Sequence, residues 1–295
     1  MTTTQHLSEK GQRGIAYTSL AALLFGVNGA VAADLVSAIP AGNVAQIRSV
    51  LAALVLSLIA YRRRAVATGG RLIALVCFGL ILAVVTVSFF VAIGRLGVGP
   101  GVTIQFSGPV LVLAWIRLVN KRHVPVIAWL AAVVALVGVA LVGGGPDFGR
   151  LDPLGLLAAG IAAISFATYI ILSVFLGRSL PTITIAAYGF SFSALFVLAA
   201  FEVVLPPSAP RVLFELVWLV LLGTVAPFLL EVAALRMTDP GIVGVVATIE
   251  PVVAATAAWL WLDQFLAPLQ VVGGLLVVGA VALIQRYSSR PPLGI

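Results

Sequence analysis

Ten stretches of about 20 mostly apolar residues follow one another along the chain, and their length matches a helix that crosses the hydrocarbon core of a bilayer. They run near 14–33, 43–60, 72–93, 98–116, 124–142, 154–176, 183–203, 212–235, 241–260 and 269–285. Hydrocarbon offers no partner to a backbone N–H or C=O, so a spanning segment must be an α-helix or a strand of a closed barrel. Barrel strands alternate apolar and polar residues, and these runs do not. Composition agrees: hydrophobic residues make up 62% of the 295 positions and charged ones 9%, with mean hydropathy +1.20. A soluble domain carries about 25% charged residues. The expectation is an all-α integral membrane protein of ten helices, with connections too short to hold a soluble domain. The first run resembles a signal peptide, with Lys10 and Arg13 before an apolar core and an Ala30-Val31-Ala32 site. The internal repeat below argues for its retention.

Charge sets an expected orientation. With the amino terminus cytoplasmic, thirteen of the seventeen Lys and Arg, from Lys10 and Arg13 to Arg286 and Arg290, fall on the cytoplasmic side. The other side receives Arg95, Arg150 and Arg211, and Arg48 lies inside the second helix. The positive-inside bias therefore places both termini in the cytoplasm and accounts for the net charge of +7. No basic domain remains for nucleic acid. Cys77, the single cysteine, excludes a disulfide framework and reads as a packing residue.

The two halves resemble each other. "LLFGVNGAVAADLVSAIP" (23–40) aligns with "ISFATYIILSVFLGRSLP" (164–181), pairing Phe25 with Phe166, Leu35 with Leu176 and Pro40 with Pro181. Further on, "PGVTIQFSGPVLVLAWIRLVNKRHVP" aligns with "PGIVGVVATIEPVVAATAAWLWLDQFLAP", pairing Pro109 with Pro251. The chain thus divides into a first five-helix repeat, 1–148, and a second, 149–295. Five crossings are odd, so the second repeat is inverted in the membrane. A charge swap fits this: Lys121 and Arg122 in one loop correspond to Asp263 and Gln264 in the other. Inverted repeats are the build of many secondary transporters, whose substrate site lies near the midplane between the halves.

With these motifs the sequence resembles the drug/metabolite transporter superfamily, and within it the EamA-type exporters of ten helices. The resemblance is strongest from the third to the fifth helix of each half, in the mid-helix prolines Pro109 and Pro251 and the Gly-rich last helix. Asp263 fits the acidic residue that closes each fourth helix in that family, whereas Lys121 and Arg122 depart from it; Arg48 matches its second-helix arginine. The resemblance implies export of small metabolites by alternating access through a central cavity, with amino acids, aromatic ones included, as the favoured substrates. Export of cationic drugs or other metabolites is the alternative, and the implied address is the bacterial inner membrane.

Ionisable groups inside the membrane are functional candidates because burying one costs about 2.5–3.5 kcal/mol even on lenient scales. Arg48, Glu231 and Glu250 qualify. Arg48 is expected to contact a substrate carboxylate or to pair with Asp34. Glu250 stands beside Pro251, whose ring leaves the carbonyl of residue 247 without its helical donor. Glu231 reads as a coupling acid, with an interfacial pair to Arg236 as the alternative. Asn28, Gln46, Gln105, Ser107, Thr168 and Tyr169 are polar positions well inside helices and are expected, with Arg48 and Glu250, to bind solute. Glu231, Glu250, Pro109 and Pro251 are the expected coupling or gating positions. Tyr169, Tyr188 and Trp218 are further candidates for an aromatic lining, while Trp115, Trp259 and Trp261 near helix ends suit the interfacial belt. Gly97 and Gly101, and Gly273, Gly274 and Gly279, read as faces for close helix contact.

No site for catalysis, metal or cofactor emerges. "GVGPG" (97–101) lacks the Gly-Lys-Ser/Thr ending of a phosphate loop, and His6 and His123 stand apart. A membrane enzyme acting on lipid is the rival from another class, but it needs an acid/base pair or nucleophile grouped at an interface. The expected partners are a small-molecule substrate and the bilayer; oligomeric state and coupling ion stay open.

Overall fold

A computed structural model describes residues 2–62, 70–96, 98–143, 152–204, 206, 208–261 and 267–288. These form ten helices and no strand among the described residues. They are α1 (Thr2–Ala38), α2 (Ala41–Arg62), α3 (Gly70–Leu96), α4 in two segments (Val98–Gln105 and Gly108–Leu118) and α5 (Val126–Val142). The second half repeats the order: α6 (Pro153–Gly177), α7 (Thr182–Ala200), α8, α9 in two segments (Pro240–Ala247 and Ile249–Trp261) and α10 (Pro268–Ser288). In α8 a π turn, Leu221–Val225, separates Pro210–Val220 from Ala226–Ala234.

By length and hydropathy α2, α3, α4, α6, α7, α8 and α9 can each cross a membrane; α5 and Pro268–Ile284 of α10 are shorter apolar helices. Outward-facing leucines such as Leu54, Leu157, Leu195 and Leu275 are more than half exposed. That is the pattern of a bundle whose solvent is lipid. Inside, small residues predominate, among them Ala131, Ala135, Ala159 and Ala162. Lipid tails are as apolar as leucine, so close packing of small faces replaces the hydrophobic drive between helices.

Packing follows the repeat. α2 lies against α7 and α5 against α10, while α1 packs on α8 and α9 as α6 packs on α3 and α4. Exchanging α1–α5 with α6–α10 maps α2–α7 and α5–α10 onto themselves and the contacts of α1 onto those of α6, which is the signature of a two-fold relation between repeats. The α5–α10 contact is close from both sides: a Cβ on Gly138 would stand 2.7 Å from the Gly273 carbonyl oxygen, and one on Gly273 would stand 2.6 Å from that of Gly138.

Several expectations change. α1 starts at Thr2 rather than near 14, because no proline interrupts the polar leader and hydropathy marks the membrane boundary, not the end of the ladder. Cys77 is exposed on the outer face of α3 and does not pack in the core. Of the α10 glycines, Gly273 makes the close contact, a Cβ on Gly274 would stand 3.4 Å from Val252, and one on Gly279 would have nothing within 4 Å. Gly97, Asp263 and Gln264, and the side chains of Asp34, His6 and Trp261, lie outside the described residues.

Candidate functional site

Among the described residues three long helices break near the middle of their length, and proline chemistry accounts for each break. Pro109 has no N–H for the carbonyl of Gln105, nor Pro251 for that of Ala247, nor Pro227 for that of Gly223. In α4 and α9 the break is built alike. The amide of Ser107 donates to the Ile104 carbonyl at 3.1 Å and its hydroxyl to the same oxygen at 2.6 Å. The amide and hydroxyl of Thr248 donate to the Val245 carbonyl at 3.2 and 2.6 Å. The breaks also meet: a Cβ on Gly244 of α9 would stand 2.9 Å from the Pro109 ring. In α8 the helix widens instead, and the Thr224 hydroxyl donates five residues back, to Leu219, at 2.7 Å. π turns of this kind occur frequently at functional sites.

Around these breaks the bundle gathers its intramembrane charges. Arg48 of α2 reaches α3, where its Nη2 donates to the Thr86 hydroxyl at 3.3 Å. Its Nε is buried with no hydrogen-bond partner. Glu250 of α9 lies within Coulombic reach of both Arg48 and Glu231. Among the described residues no ion pair joins Arg48 to either acid. Glu231 of α8 is 6% exposed and accepts a 3.1 Å hydrogen bond from the Tyr169 phenol of α6. It does not pair with Arg236, which donates to the Leu180 carbonyl at 3.1 Å.

Tyr169 stands in an aromatic cluster. Its ring centroid lies 5.7 Å from Phe78, 6.1 Å from Phe166 and 5.7 Å from Phe228. Four elements, α2, α6, α8 and α9, therefore supply one cation, two acids and a phenol, and α3 adds the wall. Sequence reasoning missed Thr86, Phe78, Phe166 and Phe228. The hydroxyl of Thr86 inside an apolar run was a usable signal, whereas phenylalanine in a membrane helix carries none.

The remaining candidates separate by their bonds. Asn28 is buried against Gly223 in the π turn, with Oδ1 unpartnered, and Oε1 of Gln105 is likewise buried and unpartnered. Gln46 instead donates from Nε2 to the Phe201 carbonyl at 3.0 Å, beside Asn43, which donates to the Glu202 carbonyl at 2.7 Å. Together they tie α2 to the end of α7. The Thr168 hydroxyl returns to the Ile164 carbonyl at 2.8 Å. Trp115 and Trp259 are 42% and 45% exposed, while the Trp218 indole N–H is buried and unpartnered.

A cavity of about 640 Å³ opens at the end of the bundle where α1, α6, α7 and α8 meet, and Lys10, Arg178 and Arg236 line it. A neighbouring cavity of about 340 Å³ shares Val174 and Arg178 and adds Arg122 and Asp239. Arg48, Glu231 and Glu250 line neither. The expected midplane cavity is thus not where these open spaces lie; the charged group sits deeper than both.

Comparison with known proteins gives one family twice. The EamA-like transporter family matches residues 12–144 and again 153–286. The chain is 24% identical over 194 residues, 64% of its own length, to the uncharacterized transporter YdfC of Bacillus subtilis (strain 168), and spans about 63% of that relative's length. A solved crystal structure is similar in fold, with TM-score 0.76 and 18% identity, covering 97% of this chain and 98% of that one.

Proposed function

Because the chain belongs to the EamA-like transporter family, we propose that it is a secondary transporter that exports amino acids, aromatic ones included, from a bacterial cytoplasm. Both termini are assigned to the cytoplasm and the protein to the inner membrane. The observation that carries the substrate class is the arrangement of Arg48 and Glu250, a cation and an acid within electrostatic reach yet not closed into a pair. A zwitterion inserted between them places its carboxylate on the guanidinium and its ammonium on the carboxylate. Each buried charge then acquires the partner that its burial demands. The phenylalanines around Tyr169 offer an apolar wall to the side chain, and the unpartnered oxygens of Asn28 and Gln105 accept further hydrogen bonds. Gln46, Ser107 and Thr168, already bonded within the bundle, brace it.

Alternating access follows from the two-fold build. The broken helices α4 and α9 touch at Pro109 and Gly244, so rocking one repeat against the other moves both breaks together, with Pro109 and Pro251 as the gating positions. Glu231 and Glu250 are the coupling acids, exchanging a proton as the site changes its exposure. Two acids beside a single arginine favour a second reading, export of cationic compounds.

Counterflow into proteoliposomes of a panel of radiolabelled amino acids, with radiolabelled tetraphenylphosphonium as the cationic probe, separates these readings. A charge-assisted hydrogen bond is worth about 1.5–3 kcal/mol, so Arg48→Ala and Glu250→Gln are expected to weaken uptake roughly tenfold to a hundredfold. Uptake of the cation with no amino acid moved would favour the second reading. Turnover of lipid without flux of any solute would favour an enzyme.

A further inference from the structure

Glu231 is shielded from the open cavity, yet a coupling acid must exchange protons with one side of the membrane. Its route is written on α6. The Tyr169 phenol donates to Glu231 Oε2 at 3.1 Å. One turn further on the same face is Ser173, 0% exposed, whose hydroxyl lies beside the phenol as a hydrogen-bonding neighbour but closes no bond of full hydrogen-bond geometry. The next residue, Val174, and Gly177, one turn beyond Ser173, line the 640 Å³ cavity. An unpartnered hydroxyl in an apolar helix costs about 1–3 kcal/mol of desolvation. Its neighbours on the same stretch of helix, Ile170, Leu172 and Leu176, are apolar, so packing alone gives no reason for it.

We propose that Ser173 and Tyr169 form a two-hydroxyl proton relay that connects the cavity at the Arg178 end of the bundle to the Glu231 carboxylate. Loading breaks one O–H bond of hydronium at the cavity and forms one on Ser173 Oγ. The Ser173 proton passes to Tyr169 Oη, and the phenol's own proton passes to Glu231 Oε2. Each hydroxyl gives one proton and takes one, so the net change is hydronium to water and carboxylate to carboxylic acid. The charged and titratable groups around the route are Glu250 of α9, Arg48 of α2 behind it, and Lys10, Arg178 and Arg236 at the cavity. The three cations at the mouth hold the resting proton concentration down and make the relay, rather than an open water file, the controlled entrance. Ser173 itself carries the proton in this relay and touches no substrate. The inference rests on the reading of Glu231 as a coupling acid.

The test is time-resolved infrared spectroscopy of the full-length protein in liposomes after an acid jump, following the carboxyl band that Glu231→Gln abolishes. Positioned proton transfer is worth about two orders of magnitude in rate. Ser173→Ala and Tyr169→Phe are expected to slow protonation by roughly that factor, and Ser173→Thr to restore it. Ser173→Ala removes an unpartnered buried hydroxyl and should melt no lower than the unmodified protein, which separates slowed proton entry from a misfolded bundle. Native rates in both variants, or a carboxyl band that never responds in the unmodified protein, would overturn the relay. Transport independent of pH in a protein whose Glu231 protonates through the relay would overturn the coupling role alone.

Discussion

Glu250 and Gly108 occupy equivalent places in the two repeats, each immediately before the paired proline. The repeats share a fold but not a charge. A binding site on a two-fold axis can therefore be polar in one direction, with an acid on the α9 side and Arg48 on the α2 side, and that direction suits a zwitterion. The intramembrane charges were legible because each interrupts an apolar run; the hydrogen bond between Tyr169 and Glu231 was not, since residues on α6 and α8 meet only in the folded bundle. A second charged contact lies outside the membrane-spanning segments. Arg95 Nη1 donates to Asp152 Oδ2 at 2.8 Å, while Oδ1 accepts from the Leu154 amide at 3.3 Å as the cap of α6. The hydrogen bond from Arg95 holds the Asp152 carboxyl below its ordinary range. A lowered folded-state value means that this stabilisation is complete above the ordinary carboxylate range and is lost as pH falls through the lowered one. Asparagine still caps a helix, so Asp152→Asn removes only the charge. Melting in detergent should be slightly lower for the variant at neutral pH, and the gap should close in strong acid; a gap of constant size at all pH would mean that the carboxylate's charge contributes nothing.

At the scale of elements, the reciprocal contact of Gly138 and Gly273 fixes how closely α5 and α10 approach. Each missing Cβ faces a backbone oxygen, which cannot swing aside as a side chain can. Gly138→Ala or Gly273→Ala must push the helices apart, at a cost of about 1–3 kcal/mol. Gly279, on the same helix with nothing within 4 Å, makes the control: alanine there gains up to about 1 kcal/mol of helix propensity. Thermal melting of the three variants should therefore fall for Gly138→Ala and Gly273→Ala and hold or rise for Gly279→Ala. Equal effects at Gly273 and Gly279 would show that helix propensity, not approach, decides. The sequence marks all of these glycines alike, because composition records that a face is thin without recording what lies across from it. The breaks in α4 and α9 were legible from Pro109 and Pro251. The π turn in α8 was not, for Pro227 disturbs the ladder upstream of itself, the Thr224 hydroxyl bonds back to Leu219, and the room at Gly223 is filled by Asn28 from another helix.

For the whole molecule, the order of ten helices and the repeat were readable because hydrocarbon leaves the backbone few options and because the halves keep matching prolines. The location of the open cavities was not, since it depends on how far the halves are tilted together, and no residue type encodes a tilt. Orientation links the two. If both termini are cytoplasmic, the cavity lined by Lys10, Arg178 and Arg236 faces the cytoplasm, the side from which an exporter loads, and the proposed relay exchanges the Glu231 proton with the cytoplasm, releasing it there as substrate is taken up. Pro40 and Pro181 are aligned between the repeats and both exposed, so an inverted relation puts them on opposite faces of the membrane. In a Cys77→Ser background, a cysteine at Pro40 should react in intact cells with a membrane-impermeant maleimide, and one at Pro181 only after the membrane is opened. Labelling of both from one face would contradict the inversion. Labelling in the reverse order would keep the inversion but turn the molecule over, and the basic cavity would then face outward and serve uptake or release in place of loading.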